Sequence, residues 1–234
     1  MATDIVPELL ETIQKEFNTE ISRNKKLQQI RKMIENGTAT YEQAYDYAEQ
    51  VGEALATAFE IHIKSDVLPE GHMYYNIAER ILNPTLENNH ILVATVSAEV
   101  QEILNREAGL GLRGIQPELN QYRIDSIINR ITAEEVFDDV EWILAEPIIN
   151  FSQSVVDDAI QANAEFQYNS GLYPRIIRTV HGRDPCDWCK RVAGVYKYPD
   201  VPEDVYKRHD RCRCTVDYDP GDVRRQNVWT KEWR

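Results

Sequence analysis

Cysteine is absent from the first 185 residues of this 234-residue chain, so no disulfide framework can staple its larger part. Glycine and proline number only ten each, and the early ones fall at junctions such as Gly37, Pro69, Gly71, Gly109, Gly111, Gly114 and Pro117. No low-complexity tract and no repeat of 20 to 50 residues is present, which excludes solenoid architectures. No window approaches the roughly 18 to 20 unbroken apolar residues of a membrane span. The opening MATDIVPELLETIQKEF is acidic and amphipathic rather than basic then apolar, so neither membrane insertion nor classical secretion is expected. Length and a 42% hydrophobic content predict one large soluble domain or two small ones.

Basic residues are also scarce, 26 against 39 acidic, for a net charge of −13. The deficit is uneven. Residues 171–234 carry 14 basic and 10 acidic side chains, whereas residues 1–170 carry 12 and 29. Phosphate binding depends on Lys and Arg displacing counterions, so the larger part should repel nucleic acid and only the tail has a composition compatible with contacting DNA.

Residues 1–168 read as an α-helical body of about six to eight helices. Thr40 and Gln43 form a capping-box pattern before a stripe of Ala44, Ala48, Val51, Leu55, Ala58 and His62, which predicts one buried helix face. Asn83-Pro84 predicts an N-cap and first-turn pair opening a second long helix through Val93, Val96, Val100 and Ile103. Thr132 and Glu135 repeat the capping-box signal ahead of Val136, Val140 and Ile143, a stripe that continues toward Phe151 and Val155. Pro147 should kink or split that segment.

The texture changes at Asn169-Ser170-Gly171, so residues 169–234 are expected to form a small α+β module. Three short β-prone runs lie beyond it, at 175–180, 195–198 and 214–218. So few residues make a thin core, so the module needs docking onto the helices or a metal staple.

All four cysteines lie in that module, as Cys186-Asp-Trp-Cys189 and, after nineteen residues, His209-Asp-Arg-Cys212-Arg-Cys214. Two residues between cysteines make a tight knuckle with both sulfurs on its concave side. Cys212 and Cys214 are two apart, which on an extended chain directs both to one face. Five donors therefore compete for the four places of a tetrahedral zinc. Either the four cysteines form a closed thiolate set, or His209 replaces one of the last two or hydrogen-bonds to a thiolate. A closed site is structural and does not activate water. A redox-labile thiol cluster is the main alternative.

His181, Arg183, Arg208 and Arg211 bring cationic groups near the knuckle. Offsetting thiolate charge is a stronger reading for the arginines than binding phosphate, and Trp188 is expected to pack rather than stack on a base. Gly109-Leu-Gly111-Leu-Arg-Gly114 has the spacing of a dinucleotide fingerprint, but it comes after a helix and not a strand, so a helix-to-helix turn is expected. His62, His72 and His90 have no ligand neighbours in sequence, and the pairs Glu134-Glu135 and Asp138-Asp139 read as a solvated helix face.

A helical region followed by CxxC and then a His-x-x-Cys-Arg-Cys ending resembles the phage head morphogenesis family, the minor head proteins of the phage Mu F type. The matching residues are Cys186, Cys189, His209, Cys212, Arg213 and Cys214, within a stretch of roughly 175–218. Asp210-Arg211 stands where the family usually has Pro-Asn, which changes the local turn and keeps the cysteine spacing. The resemblance implies a minor component of a tailed-phage virion, in the head interior or at the portal vertex, assembled in the host cytoplasm. It would bind portal or major capsid protein and aid head assembly or genome delivery, with no catalytic residue. The competing reading is a nuclease-type or toxin-like enzyme in which His181 or His209 moves a proton and Arg183, Arg208 or Arg211 steadies phosphate. The stretch from Val223 to Arg234, with Trp229 and Trp233, reads as a candidate docking peptide.

Overall fold

The computed structural model describes residues 4–181, 185–209 and 212–221. Seven α-helices appear among the described residues: α1 (Val6–Arg23), α2 (Lys25–Glu35), α3 (Tyr41–His62), α4 (Tyr75–Glu107), α5 (Gln121–Ile131), α6 (Glu146–Asn169) and the short α7 (Asp187–Val192). A three-stranded antiparallel sheet is formed after α6 by β1 (Arg175–Thr179), β2 (Gly194–Lys197) and β3 (Thr215–Asp219), in the order β2-β1-β3. Among the described residues no helix is long and apolar enough to cross a membrane.

Helix α3 lies at the centre, packed on α1, α4 and α6. The Gln43 side chain accepts from the Thr40 backbone N–H at 3.0 Å, as the capping pattern predicts. Ala44, Ala48, Val51, Leu55 and Ala58 are fully buried. Small residues on this face let helices approach closely, and Gly52 marks the tightest point. A Cβ there would sit 2.8 Å from the Ile149 Cα of α6.

Two predicted helix starts are corrected. Helix α4 begins at Tyr75, not at Asn83, and passes through Pro84. Ile77, Ala78, Ile81 and Leu82 carry its buried stripe upstream, and their burial outweighs the one backbone hydrogen bond a proline removes. The Asn83 side chain caps nothing and accepts from Gln121 of α5 at 2.8 Å. Thr132 closes α5 instead of opening a helix, its hydroxyl donating to the Ile128 carbonyl at 2.9 Å. Two 3-10 turns, Phe137–Asp139 and Glu141–Leu144, occupy the span of the expected helix. Pro147 lies in the first turn of α6, so it splits the predicted segment. Glu134, Glu135, Asp138 and Asp139 are exposed, but on this irregular stretch and not on a helix.

The glycine-rich stretch Gly109 to Gly114 lies in the connection between α4 and α5, with no strand beside it. Gly114 abuts α4 so closely that a Cβ would lie 1.9 Å from the Ala98 carbonyl oxygen. His90 is buried in the same region, its Nε2 3.2 Å from the Pro117 carbonyl.

The sheet docks one face on α3 and α6. Ile176, Val216 and Tyr218 from that face, with Val205 and Tyr206 from the connection before β3, join the same buried cluster as the helices. A polar seam crosses this interface. Tyr41 donates to Gln101 at 2.7 Å, Gln101 to Asn105 at 2.8 Å, Gln167 to Asn105 at 2.7 Å, and the Tyr218 hydroxyl to Gln167. Gln101, Asn105 and Gln167 thereby each find partners within the protein.

Replacing Gly114 with alanine forces the α4–α5 connection off its helix and should lower stability by about 1–3 kcal/mol. Urea denaturation would register this as a lower midpoint with an unchanged slope, and an unaltered midpoint would contradict the close approach.

Candidate metal centre

The CxxC knuckle is the first turn of α7. Cys186 is the N-cap, and its sulfur accepts from the Cys189 backbone N–H at 3.4 Å. That turn leaves Cys186 exposed and carries Cys189 inward. Across from it the chain turns at His209, whose carbonyl accepts from the Cys212 N–H at 3.1 Å. Cys212 and Cys214, two residues apart on the approach to β3, are both buried, as expected of one face of an extended chain.

All five predicted donors meet here, in two triads that share Cys189. Cys186, Cys189 and His209 form one, Cys189, Cys212 and Cys214 the other, with ligand atoms in each within 4.8 Å of one another. None of the cysteines is in a disulfide. The Cys189 sulfur lies 3.3 Å from Cys214, 4.0 Å from Cys212 and 2.9 Å from His209 Nε2, and His209 Nε2 lies 3.4 Å from Cys186. A tetrahedral ion about 2.3 Å from each sulfur separates its sulfurs by about 3.8 Å, so the distances within each triad are close to those of ligands on one ion. The arrangement can hold a metal ion. Crowding has an electrostatic signature: burial, then the neighbouring thiols, push Cys189 well above the ordinary thiol range. The Cys189 N–H lowers Cys186.

Arg178, which sequence reasoning passed over, faces this cluster. It is buried on β1, donates to the Val205 carbonyl, and has its second guanidinium nitrogen 3.6 Å from the Cys212 sulfur. The guanidinium also lies over the Trp188 ring, 5.6 Å from its centroid, and Trp188 meets the His209 ring edge-on. A signal was available: alternation in Arg175-Ile-Ile-Arg178 puts Arg178 on the same inward face as Ile176.

The other cationic candidates have separate duties. Arg208 is buried and pairs with Asp157 of α6 through two nitrogens, one 3.2 Å from Oδ1. It also donates to Gln153 at 3.2 Å and to the Cys212 carbonyl at 3.3 Å, and stacks over Tyr45 of α3. Burial opposes its charge, but Asp157 outweighs that penalty and holds it above the usual arginine range. Tyr45 completes the clasp by donating to Asp157 at 2.6 Å and accepting from the Val216 N–H at 3.1 Å. Arg213 bridges Glu146 of α6 and Glu49 of α3, at 2.6 and 2.9 Å. His181 is exposed, with Nε2 2.9 Å from the Thr215 hydroxyl, and belongs to neither triad. Arg183, Asp210 and Arg211 lie outside the described residues.

Because Cys189 belongs to both triads, Cys189→Ser breaks both and should weaken ion binding most, whereas Cys186→Ser and His209→Ala each leave the Cys189–Cys212–Cys214 triad intact. Cobalt(II) titration followed through its thiolate charge-transfer band distinguishes these outcomes, and full binding by Cys189→Ser would disprove the shared position. Asp157→Asn strands the buried Arg208 charge and should cost about 3–5 kcal/mol in thermal or urea unfolding. Comparison with family models, curated proteins and solved structures finds no match to this chain.

Proposed function

We propose that the chain is a non-enzymatic assembly protein, a minor head protein of a tailed bacteriophage, whose carboxyl-terminal module is stabilised by one structural zinc ion. The observation that carries the reading is the convergence of Cys186, Cys189, His209, Cys212 and Cys214. These are the residues of the CxxC and His-x-x-Cys-Arg-Cys resemblance, and they come together in two donor triads that share Cys189.

Zinc is the ion favoured by thiolate and imidazole donors at tetrahedral spacing, and when bound it supplies cross-linking and not redox chemistry. Five candidate donors exceed four places, so the protein's own groups can close the coordination shell. Cys212 and Cys214 then tie the approach to β3 to α7, and Arg178 offsets the negative charge of the thiolates. A phosphate-cleaving site needs cations free to meet substrate and a positioned acid and base. Arg208 and Arg213 are instead committed to Asp157, Glu146 and Glu49. His209 stands against two sulfurs.

In purified particles the chain should co-sediment with portal and capsid proteins and contain one zinc per copy by elemental analysis. Purified protein should leave DNA and RNA intact. Cleavage that disappears in both His181→Ala and His209→Ala, with folding preserved, would replace this reading with the nuclease one, and absence from particles would remove the virion assignment.

A further inference from the structure

At the end of the bundle where α3 stops and α6 begins, the surface has an apolar hollow of about 240 Å³. Phe59 and Ile63 of α3 meet Phe137, Trp142 and Leu144 of the 3-10 turns around it, and Trp142 is 44% exposed. Glu60 and Glu141 stand on its edge. The two segments that form this end are held together by Ser65 donating to Asp138 and by His72 Nδ1 against the Glu135 carbonyl at 3.1 Å.

Charge here is strongly one-sided. Residues 60–70 and 134–141 contain eight acidic side chains, all exposed, and one basic one, Lys64. Arg130 adds a second cation, already stacked on one face of Trp142 at 4.4 Å. An apolar hollow inside a ring of carboxylates selects a basic segment with a bulky apolar anchor.

This chain contains such a segment. Residues 222–234 carry Arg224, Arg225, Lys231 and Arg234 against Asp222 and Glu232, and include Trp229 and Trp233. The segment starts beyond Gly221, which abuts Tyr173 just past the carboxyl end of α6. The hollow borders Ala145, at the opposite end of that helix. A 24-residue helix is about 36 Å long. Trp229 is eight residues past Gly221 and extends at most about 28 Å, short of the hollow of its own chain. Trp233, twelve residues past Gly221, would need about 3.0 Å per residue along a straight path, which leaves little slack to pass around the bundle.

We propose that residues 222–234 of one copy dock a tryptophan into the Trp142 hollow of a second copy. The contact joins two different surfaces, so it is heterologous and propagates into a ring or an open filament instead of ending at a dimer. It does not depend on the virion assignment or on the metal.

Sedimentation velocity on the full chain over a concentration series tests this. Wild type should shift to species larger than a dimer as concentration rises, and more weakly at high salt. Two variants should each remain monomeric: Trp229→Ala with Trp233→Ala, which keeps the hollow, and Glu60→Lys with Glu141→Lys, which keeps the tail. The second changes only exposed side chains, and matching circular dichroism melts check the fold of both. Mixed together, the two variants should form a one-to-one heterodimer and go no further. A monomeric wild type, association that persists in either variant, or a mixture that stays monomeric overturns the proposal.

Discussion

The buried pair between Arg208 and Asp157 is the constraint on which the carboxyl-terminal half depends. It joins the residue before His209 to the middle of α6. Through Tyr45 it also reaches the backbone of β3, so one carboxylate organises a helix, a second helix and a strand. A buried ion pair is weak as a source of net stability, because desolvation offsets most of the attraction. Its strength is specificity. Any packing of the sheet on the helices that fails to bring Arg208 to Asp157 leaves a bare charge inside, and the alternatives are removed by their cost.

The thiol cluster is set on that frame. Cys212 comes one turn of chain after Arg208 and gives it a carbonyl, and its sulfur meets Arg178 from β1. The buried half of the cluster, Cys189, Cys212 and Cys214, is thus held from the protein side, while Cys186 and His209 approach from the solvent side. The module is therefore secured twice, by a hydrophobic face and polar seam against α3 and α6, and by donors that gather around one position. Docking and the thiol cluster are neighbours, since Arg178, which meets the Cys212 sulfur, shares the inward face of β1 with Ile176, which packs into the helical core.

Local chemistry decided which features were legible in the sequence. The Thr40–Gln43 cap, the α3 stripe, all three strands and the five donors can be read from spacing alone, because period and turn geometry need no distant partner. Failures came where a local signal was overruled from afar. Asn83-Pro84 has the chemistry of a helix start, yet the apolar residues upstream of it are buried by other elements, and the helix runs through. Thr132 and Glu135 have the spacing of a cap, yet Phe137 is buried in a 3-10 turn and Val140 in the link to the next one. The Asp157–Arg208–Tyr45 clasp spans separations of 51 and 112 residues, so no window of sequence displays it. Arg178 alone could have been found, as a charge on the inward side of an alternating strand.

The hydrogen bond from Val216 to Tyr45 crosses 171 residues. Closing so long a loop carries an entropic cost, so β3 docks most readily on α3 and α6 that have already packed. Synthesis favours the same order, because the helical body emerges before the thiol-bearing stretch. An ion held by those sulfurs would then bind to a body already in place.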